Sequence, residues 1–281
     1  MLFPSARHQE AIAYLKYGLR GTGGFVMLTG EVGTGKTMVS RAVLADVPEH
    51  FNIAYLLNPT LNSVQLLQSV CDAFGIKVED NSEHKQLSDA LQKFLVEQDG
   101  EGKPCLLVVD EAQHLSAEAL EQLRLFTNIE TNEKKLLQII LIGQPELQEK
   151  LNTRELRQLA QRITARYHLL PLTEEETFFY MNHRLQAVGG VRPLFNKKAM
   201  SMIFKASHGT PRLINLIADR ALMGTFAQGK QTVDKQIVQQ AVKEVLPGHV
   251  FRQGLDKKWF WFAGAVTATA ALTTLATVTL L

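Results

Sequence analysis

The segment Gly30-Glu31-Val32-Gly33-Thr34-Gly35-Lys36-Thr37 matches the phosphate-loop pattern G-x-x-x-x-G-K-[ST] at every fixed position, and the apolar run Gly24-Phe25-Val26-Met27-Leu28-Thr29 leads straight into it. The chain is thereby constrained to a strand, a tight loop and a helix, in that order. Gly30, Gly33 and Gly35 are expected to take positive φ, so that successive backbone N–H groups point at anionic oxygens. Lys36 offers a point charge to β- and γ-phosphates, and Thr37 a hydroxyl to Mg²⁺. A helix from about Gly35 to Asp46 aims the positive end of its dipole at the same anion. Residues 30 to 37 together are the expected cradle for a nucleoside triphosphate, with ATP and Mg²⁺ as the ligands.

A cradle binds but does not hydrolyse, and the second nucleotide motif supplies the difference. Cys105-Leu106-Leu107-Val108-Val109 is an uninterrupted apolar stretch, the pattern of a strand buried on both faces of a parallel sheet, and it ends in Asp110-Glu111. Ligands of such sheets sit at the carboxyl ends of the strands, which directs Asp110 to the Mg²⁺ held by Thr37. Glu111 then becomes the group that polarises the attacking water.

Strand-like runs recur at Asn52–Leu57, Leu136–Ile142 and Tyr167–Leu170, separated by helical periods at Ser63–Phe74, Gln86–Val96 and a segment through Phe126 that Ser116 caps. A further amphipathic helix, His8–Leu19, precedes the first strand, with Ala11, Tyr14, Leu15 and Leu19 on one side. This alternation predicts an α/β parallel sheet covered by helices on both faces, over residues 1–171. From Thr173 onward only helical patterns remain, starting with the capping box Thr173-Glu174-Glu175-Glu176, so residues 172–247 read as a small all-helical module. Pro247-Gly248 opens a linker over 248–258.

The last stretch differs in kind. Residues 259–281 carry no charged side chain, and as a helix they would span roughly 34 Å, enough to cross a bilayer. Trp259, Phe260, Trp261 and Phe262 cluster at its start behind Arg252, Lys257 and Lys258. The expectation is a single-pass transmembrane helix in the inner membrane with the N-terminal part in the cytoplasm. A buried core helix and a Thr-rich strand are the competing readings of the same residues. Met1-Leu2-Phe3-Pro4 is too short an apolar region for a signal peptide.

Composition excludes less. The 30 Lys and Arg against 28 Asp and Glu leave a net charge of +2, so no overall field announces nucleic acid as the main partner. Cys71 and Cys105 lack paired spacing, and the eight histidines lack metal-ligand spacing, which fits a reducing compartment without a structural metal.

With these residues in view, the sequence resembles AAA+ ATPases of the branch that contains the general secretion pathway component A (ExeA-like) and the MSHA pilus biogenesis protein MshM. The resemblance runs over about residues 5 to 247. It is carried by residues 24–37, by Val108-Val109-Asp110-Glu111-Ala112-Gln113-His114-Leu115 and by Ile140-Leu141-Ile142-Gly143-Gln144-Pro145-Glu146-Leu147. Asp-Glu-Ala-Gln and Gly-Gln-Pro-Glu-Leu are more specific to this branch than the two general nucleotide motifs.

The resemblance implies further roles. Gln144 is similar to sensor 1, which reads the γ-phosphate and the nucleophilic water, and Asn58 to the switch residue that restrains the catalytic glutamate. Arg162 sits where such proteins place an arginine finger, with Arg166 as a second candidate, and Arg212 resembles sensor 2 in the helical lid. A finger in trans implies a homo-oligomer, a ring or a dimer. The implied partners are inner-membrane pilus or secretion assembly proteins. Secretion-type relatives carry a peptidoglycan-binding domain beyond the membrane span and this sequence runs only to Leu281, so the expectation leans to assembly of an MSHA-type type IV pilus over type II secretion. Two other readings compete: a nucleotide-gated scaffold with little turnover, and a DNA-associated transposition-type regulator using Arg154, Arg157, Arg162 and Arg166 on a phosphate backbone.

Overall fold

The computed structural model describes residues 5–20, 24–57, 61–79, 82–131, 134–190 and 192–247. Helix α1 (Ala6–Leu19) leads to β1 (Gly24–Gly30), α2 (Lys36–Ala45) and β2 (Asn52–Leu56). Helices α3 (Ser63–Ala73) and α4 (His84–Gly100) precede β3 (Cys105–Val109). A 3₁₀ turn (Ala112–His114) and α5 (Ala117–Phe126) follow, then β4 (Leu137–Gly143), α6 (Pro145–Leu151), α7 (Arg157–Gln161) and β5 (Ile163–Leu169). The remaining helices are α8 (Glu174–Ala187), α9 (Lys197–Ser207), α10 (Pro211–Ala227) and α11 (Lys235–Val245).

The five strands are all parallel, in the order β2-β3-β4-β1-β5. Alternation along the central strands sorts their side chains onto two faces. Phe25, Met27, Leu107, Ile139 and Leu141 pack under α3 to α7, against residues such as Leu66, Leu91 and Leu123. Their neighbours Val26, Leu28, Val108, Ile140 and Ile142 face α1 and α2, against Leu15, Val39 and Val43. Both faces are dry, which is why these strands read as unbroken apolar runs. Removing one such side chain, as in Leu107→Ala, would cost about 2–5 kcal/mol because Leu107 is fully buried.

Helices α8 to α11 enclose an apolar cluster of their own, built around Met181, Ile203, Ile217 and Val238. Its first helix starts as its sequence demands: the Thr173 side chain accepts from the N–H of Glu176, and the Glu176 carboxylate accepts from the N–H of Thr173.

Three expectations need correction. Strand β5 begins at Ile163, four residues before the expected start at Tyr167. It is an edge strand with alternating exposure, and its Ile163, Ala165, Tyr167 and Leu169 carry the period of two that a search for unbroken apolar runs overlooks. Helix α4 extends beyond Gln86–Val96 at both ends. Tyr14 does not join the buried side of α1 but lies half exposed, its ring 5.5 Å from that of Tyr167, while His8 turns inward. The expected transmembrane segment at 259–281 lies outside the described residues, and among the described residues no helix is long and apolar enough to cross a membrane.

Candidate nucleotide site

The strand order decides what meets. Strand β4 lies between β1 and β3, so the loop after β1, the acidic pair after β3 and Gln144 after β4 emerge side by side at one edge of the sheet. A cavity of about 480 Å³ opens there, bounded by Lys36, Thr37 and Glu111 from the sheet side and by Tyr180, Arg184 and Arg212 from the helical module.

The loop has the backbone its glycines permit. Gly33 and Gly35 take φ of 81° and 104°. Gly30 does not adopt positive φ as the sequence had suggested; it closes β1. A side chain there is excluded for a different reason: a Cβ would come within 2.7 Å of the carbonyl oxygen of Leu169. Glu31 and Val32 complete the outer turn, the Glu31 carbonyl accepting from the hydroxyl of Thr34 at 2.8 Å. The Lys36 ammonium donates to the carbonyls of Gly30 at 2.7 Å and Glu31 at 3.1 Å. Burial lowers its pKa, while Glu111, Asp110 and Glu31 oppose the shift. A nearly buried cation at the start of α2, backed by a positive-φ loop, fits the triphosphate that the sequence calls for.

Asp110 is buried and fully engaged. Its Oδ2 accepts from the Thr37 hydroxyl at 3.2 Å and from Tyr55 at 3.0 Å, and its Oδ1 accepts from the N–H of Glu111 at 2.9 Å. Thr37 and Asp110 thus present adjacent oxygens, the donor set that Mg²⁺ prefers. Burial in turn pushes the Tyr55 phenol up to about 12.

Glu111 occupies the left-handed region, at φ 55° and ψ 38°. For a residue with a side chain that conformation is strained. The amide of Gln113 donates to its Oε2 at 2.5 Å and the amide of Gln144 to the same oxygen at 3.3 Å. Burial raises its pKa, but these two hydrogen bonds and the Lys36 charge outweigh that, leaving the group below its ordinary value.

Arg212 lies in the first turn of α10, and its N–H donates to the carbonyl of Gly33 at 3.2 Å. It therefore stands over the loop. Arg162 is remote from this cavity: one guanidinium nitrogen donates to the carbonyl of Arg124 at 3.1 Å, the hydroxyl of Thr127 at 3.0 Å and the side chain of Asn128 at 2.6 Å. Arg166 donates to the carbonyl of Ala160. Asn58 lies outside the described residues.

Sequence reading gave no role to several residues that the fold brings here. His8 of α1 is buried against the loop, bonding the carbonyl of Thr34 at 3.2 Å, and the serine-capped helix start that places it was the only local signal. Tyr55 sits on β2 with nothing in its own segment to mark it. Gln113 stood inside a phrase already noticed, Asp-Glu-Ala-Gln. Tyr180, Arg184 and Asn215 reach the cavity from two helices, a juxtaposition that exists only after packing.

Comparison with known proteins adds four relationships. A family model described as an AAA domain matches residues 19–151. The chain is 48% identical over 276 residues to general secretion pathway protein A of Aeromonas hydrophila, covering 98% of itself and 49% of that protein. It thus spans about half the length of that relative. It is 24% identical over 232 residues to the ATP-dependent target DNA activator B of Escherichia phage Mu, covering 80% of itself and 67% of that protein. Among solved structures, the Aeropyrum pernix ORC2 protein in its ADPNP-ADP complexes superposes with a TM-score of 0.63 at 20% identity, over 89% of this chain and 69% of that one, a likeness of fold.

Proposed function

Because the chain belongs to the AAA+ ATPase family of the general secretion pathway protein A, we propose that it binds and hydrolyses Mg·ATP and uses the cycle to drive assembly of an envelope machine. The observation that carries this reading is the meeting of Lys36, Thr37, Asp110, Glu111 and Gln144 at one end of the sheet, roofed by Arg212. Binding of the triphosphate falls to the loop amides and Lys36. Thr37 and Asp110 are the residues that would hold Mg²⁺, which supplies positive charge to the phosphate oxygens. Glu111, kept ionised, accepts the proton of the attacking water, while Gln144 orients that water. Arg212 adds charge from the lid, so that lid position and nucleotide state are linked.

The 48% identity supports a type II secretion setting, with MSHA-type pilus assembly as the variant of the same role. Residues 259–281 would anchor the protein in the inner membrane, and copies would associate so that Arg162 of one reaches the site of the next. The decisive experiment measures phosphate release and Mg·ATP binding by calorimetry for the wild type and Glu111→Gln. Retained binding with abolished release supports the reading; absence of nucleotide uptake by folded wild type would sink it.

A second reading has its own observation, the similarity to a phage DNA activator. Arg154, Arg157 and Arg166 are exposed near β5 and would contact a phosphate backbone. Salt-sensitive binding of duplex DNA, weakened by charge removal at these arginines, would favour it.

A further inference from the structure

The phrases Asp-Glu-Ala-Gln and Gly-Gln-Pro-Glu-Leu lie some thirty residues apart, yet the fold joins them at a single amide. The Gln113 side chain has partners at both ends: its Nε2 donates to Glu111 Oε2 at 2.5 Å, and its Oε1 accepts from the backbone N–H of Gln144 at 3.0 Å. The second bond fixes the orientation of the first. A backbone N–H can only donate, so the oxygen of the amide must face Gln144 and the NH₂ must face the carboxylate.

The surroundings hold this arrangement from two sides. Lys150 of α6 donates to the backbone carbonyls of Gln113 and Leu115, both at 2.7 Å, tying the 3₁₀ turn to the helix that Gln144 caps. Gly143 leaves the space into which the amide fits, since a Cβ there would stand 2.9 Å from Gln113 Oε1 and 2.8 Å from Leu147. Glu111 itself is in a strained left-handed conformation and needs outside partners to stay there.

We infer that Gln113, seated against Gly143 and Gln144, is a positioning residue that aims the Glu111 carboxylate for hydrolysis. The inference rests on the hydrolase reading above. Gln113 acts through Glu111 and is absent from the lining of the cavity, so its loss leaves nucleotide binding intact and slows the chemical step.

The test measures Mg·ATP affinity, kcat and thermal stability for the wild type, Gln113→Ala, Gly143→Ala, Glu111→Gln and the Glu111→Gln/Gln113→Ala double variant. Expected is a Kd within about twofold of wild type for the two positioning variants and a kcat lowered on the order of 10²-fold. The double variant is expected to turn over no more slowly than Glu111→Gln alone, because residues acting as one unit are not additive. A merely structural role predicts instead a lowered melting temperature or weakened binding in Gln113→Ala, or a further drop in the double variant, and any of these overturns the inference, as does wild-type kcat in Gln113→Ala. Wild-type turnover no faster than Glu111→Gln overturns the hydrolase reading and the role of Gln113 with it.

Discussion

The N–H of Arg212 donates to the carbonyl of Gly33 at 3.2 Å, so α10 and the phosphate loop share a backbone hydrogen bond. Gly33 sits at φ 81°, and a Cβ on it would lie 2.6 Å from the Cβ of Arg212. Gly33→Ala therefore faces a conformational penalty and a steric one at the same point. The expected outcome is at least a tenfold loss of nucleotide affinity, about 1.4 kcal/mol or more. Calorimetric titration with Mg·ATP checks it, and melting curves should show a domain that remains folded, since the sheet and its two apolar layers are untouched.

Tyr55 offers a sharper probe of the acidic pair. Its hydroxyl donates to Asp110 Oδ2, the oxygen that also meets Thr37. Tyr55→Phe removes that donor while keeping the ring, and should cost about 0.5–1.5 kcal/mol of stability. The functional readout is the Mg²⁺ concentration needed for half-maximal ATP turnover, which should change several-fold with little change in binding of metal-free nucleotide.

How much of this was legible beforehand depends on the range of the interaction. The loop, the acidic strand and the helix capped by Ser116 were readable because their determinants are neighbours in sequence: Gly33 to Thr37, Cys105 to Glu111, Ser116 to Ala119. Gln113 was visible as part of an unusual phrase, but its partner Gln144 lies across a strand pairing that only the β3-β4-β1 order creates. His8 and Tyr55 failed to announce themselves for the same reason: each acts through a contact made by an element remote in sequence. Strand β5 was half missed because its exposed alternate residues, Thr164, Arg166 and His168, interrupt the apolar pattern of a buried strand.

His8 links the loop to pH. The carbonyl of Thr34, 3.2 Å from Nε2, can only accept, so the proton of the neutral ring sits on Nε2 and Nδ1 accepts from the Ser5 hydroxyl at 2.6 Å. Burial lowers its pKa, opposed by the Thr34 hydrogen bond and by the charge of Glu176. A folded pKa below the unfolded value of about 6.5 means the unfolded chain takes up the proton first. The stability associated with neutral His8 is present above that value and is lost as pH falls through the lowered folded one. Urea titrations at about pH 7.5 and 5.5 should show wild type losing more stability than His8→Gln over that interval, and equal losses would exclude the effect.

Arg162 carries the clearest conflict between two roles. One of its nitrogens binds three oxygens at the C-terminal end of α5, where unpaired carbonyls and the negative dipole end favour a cation. Losing those bonds in Arg162→Ala should lower stability by about 1–2 kcal/mol. If the same guanidinium also serves a neighbouring copy, the variant should lose ATPase activity on the order of 10³-fold while remaining folded. Mixing then separates the roles. Subunits bearing Lys36→Ala and subunits bearing Arg162→Ala, each inactive alone, should regain partial turnover together, because an intact Arg162 on the first can face an intact loop on the second. A destabilised Arg162→Ala that keeps near wild-type activity, with no gain on mixing, would assign Arg162 to capping α5 alone.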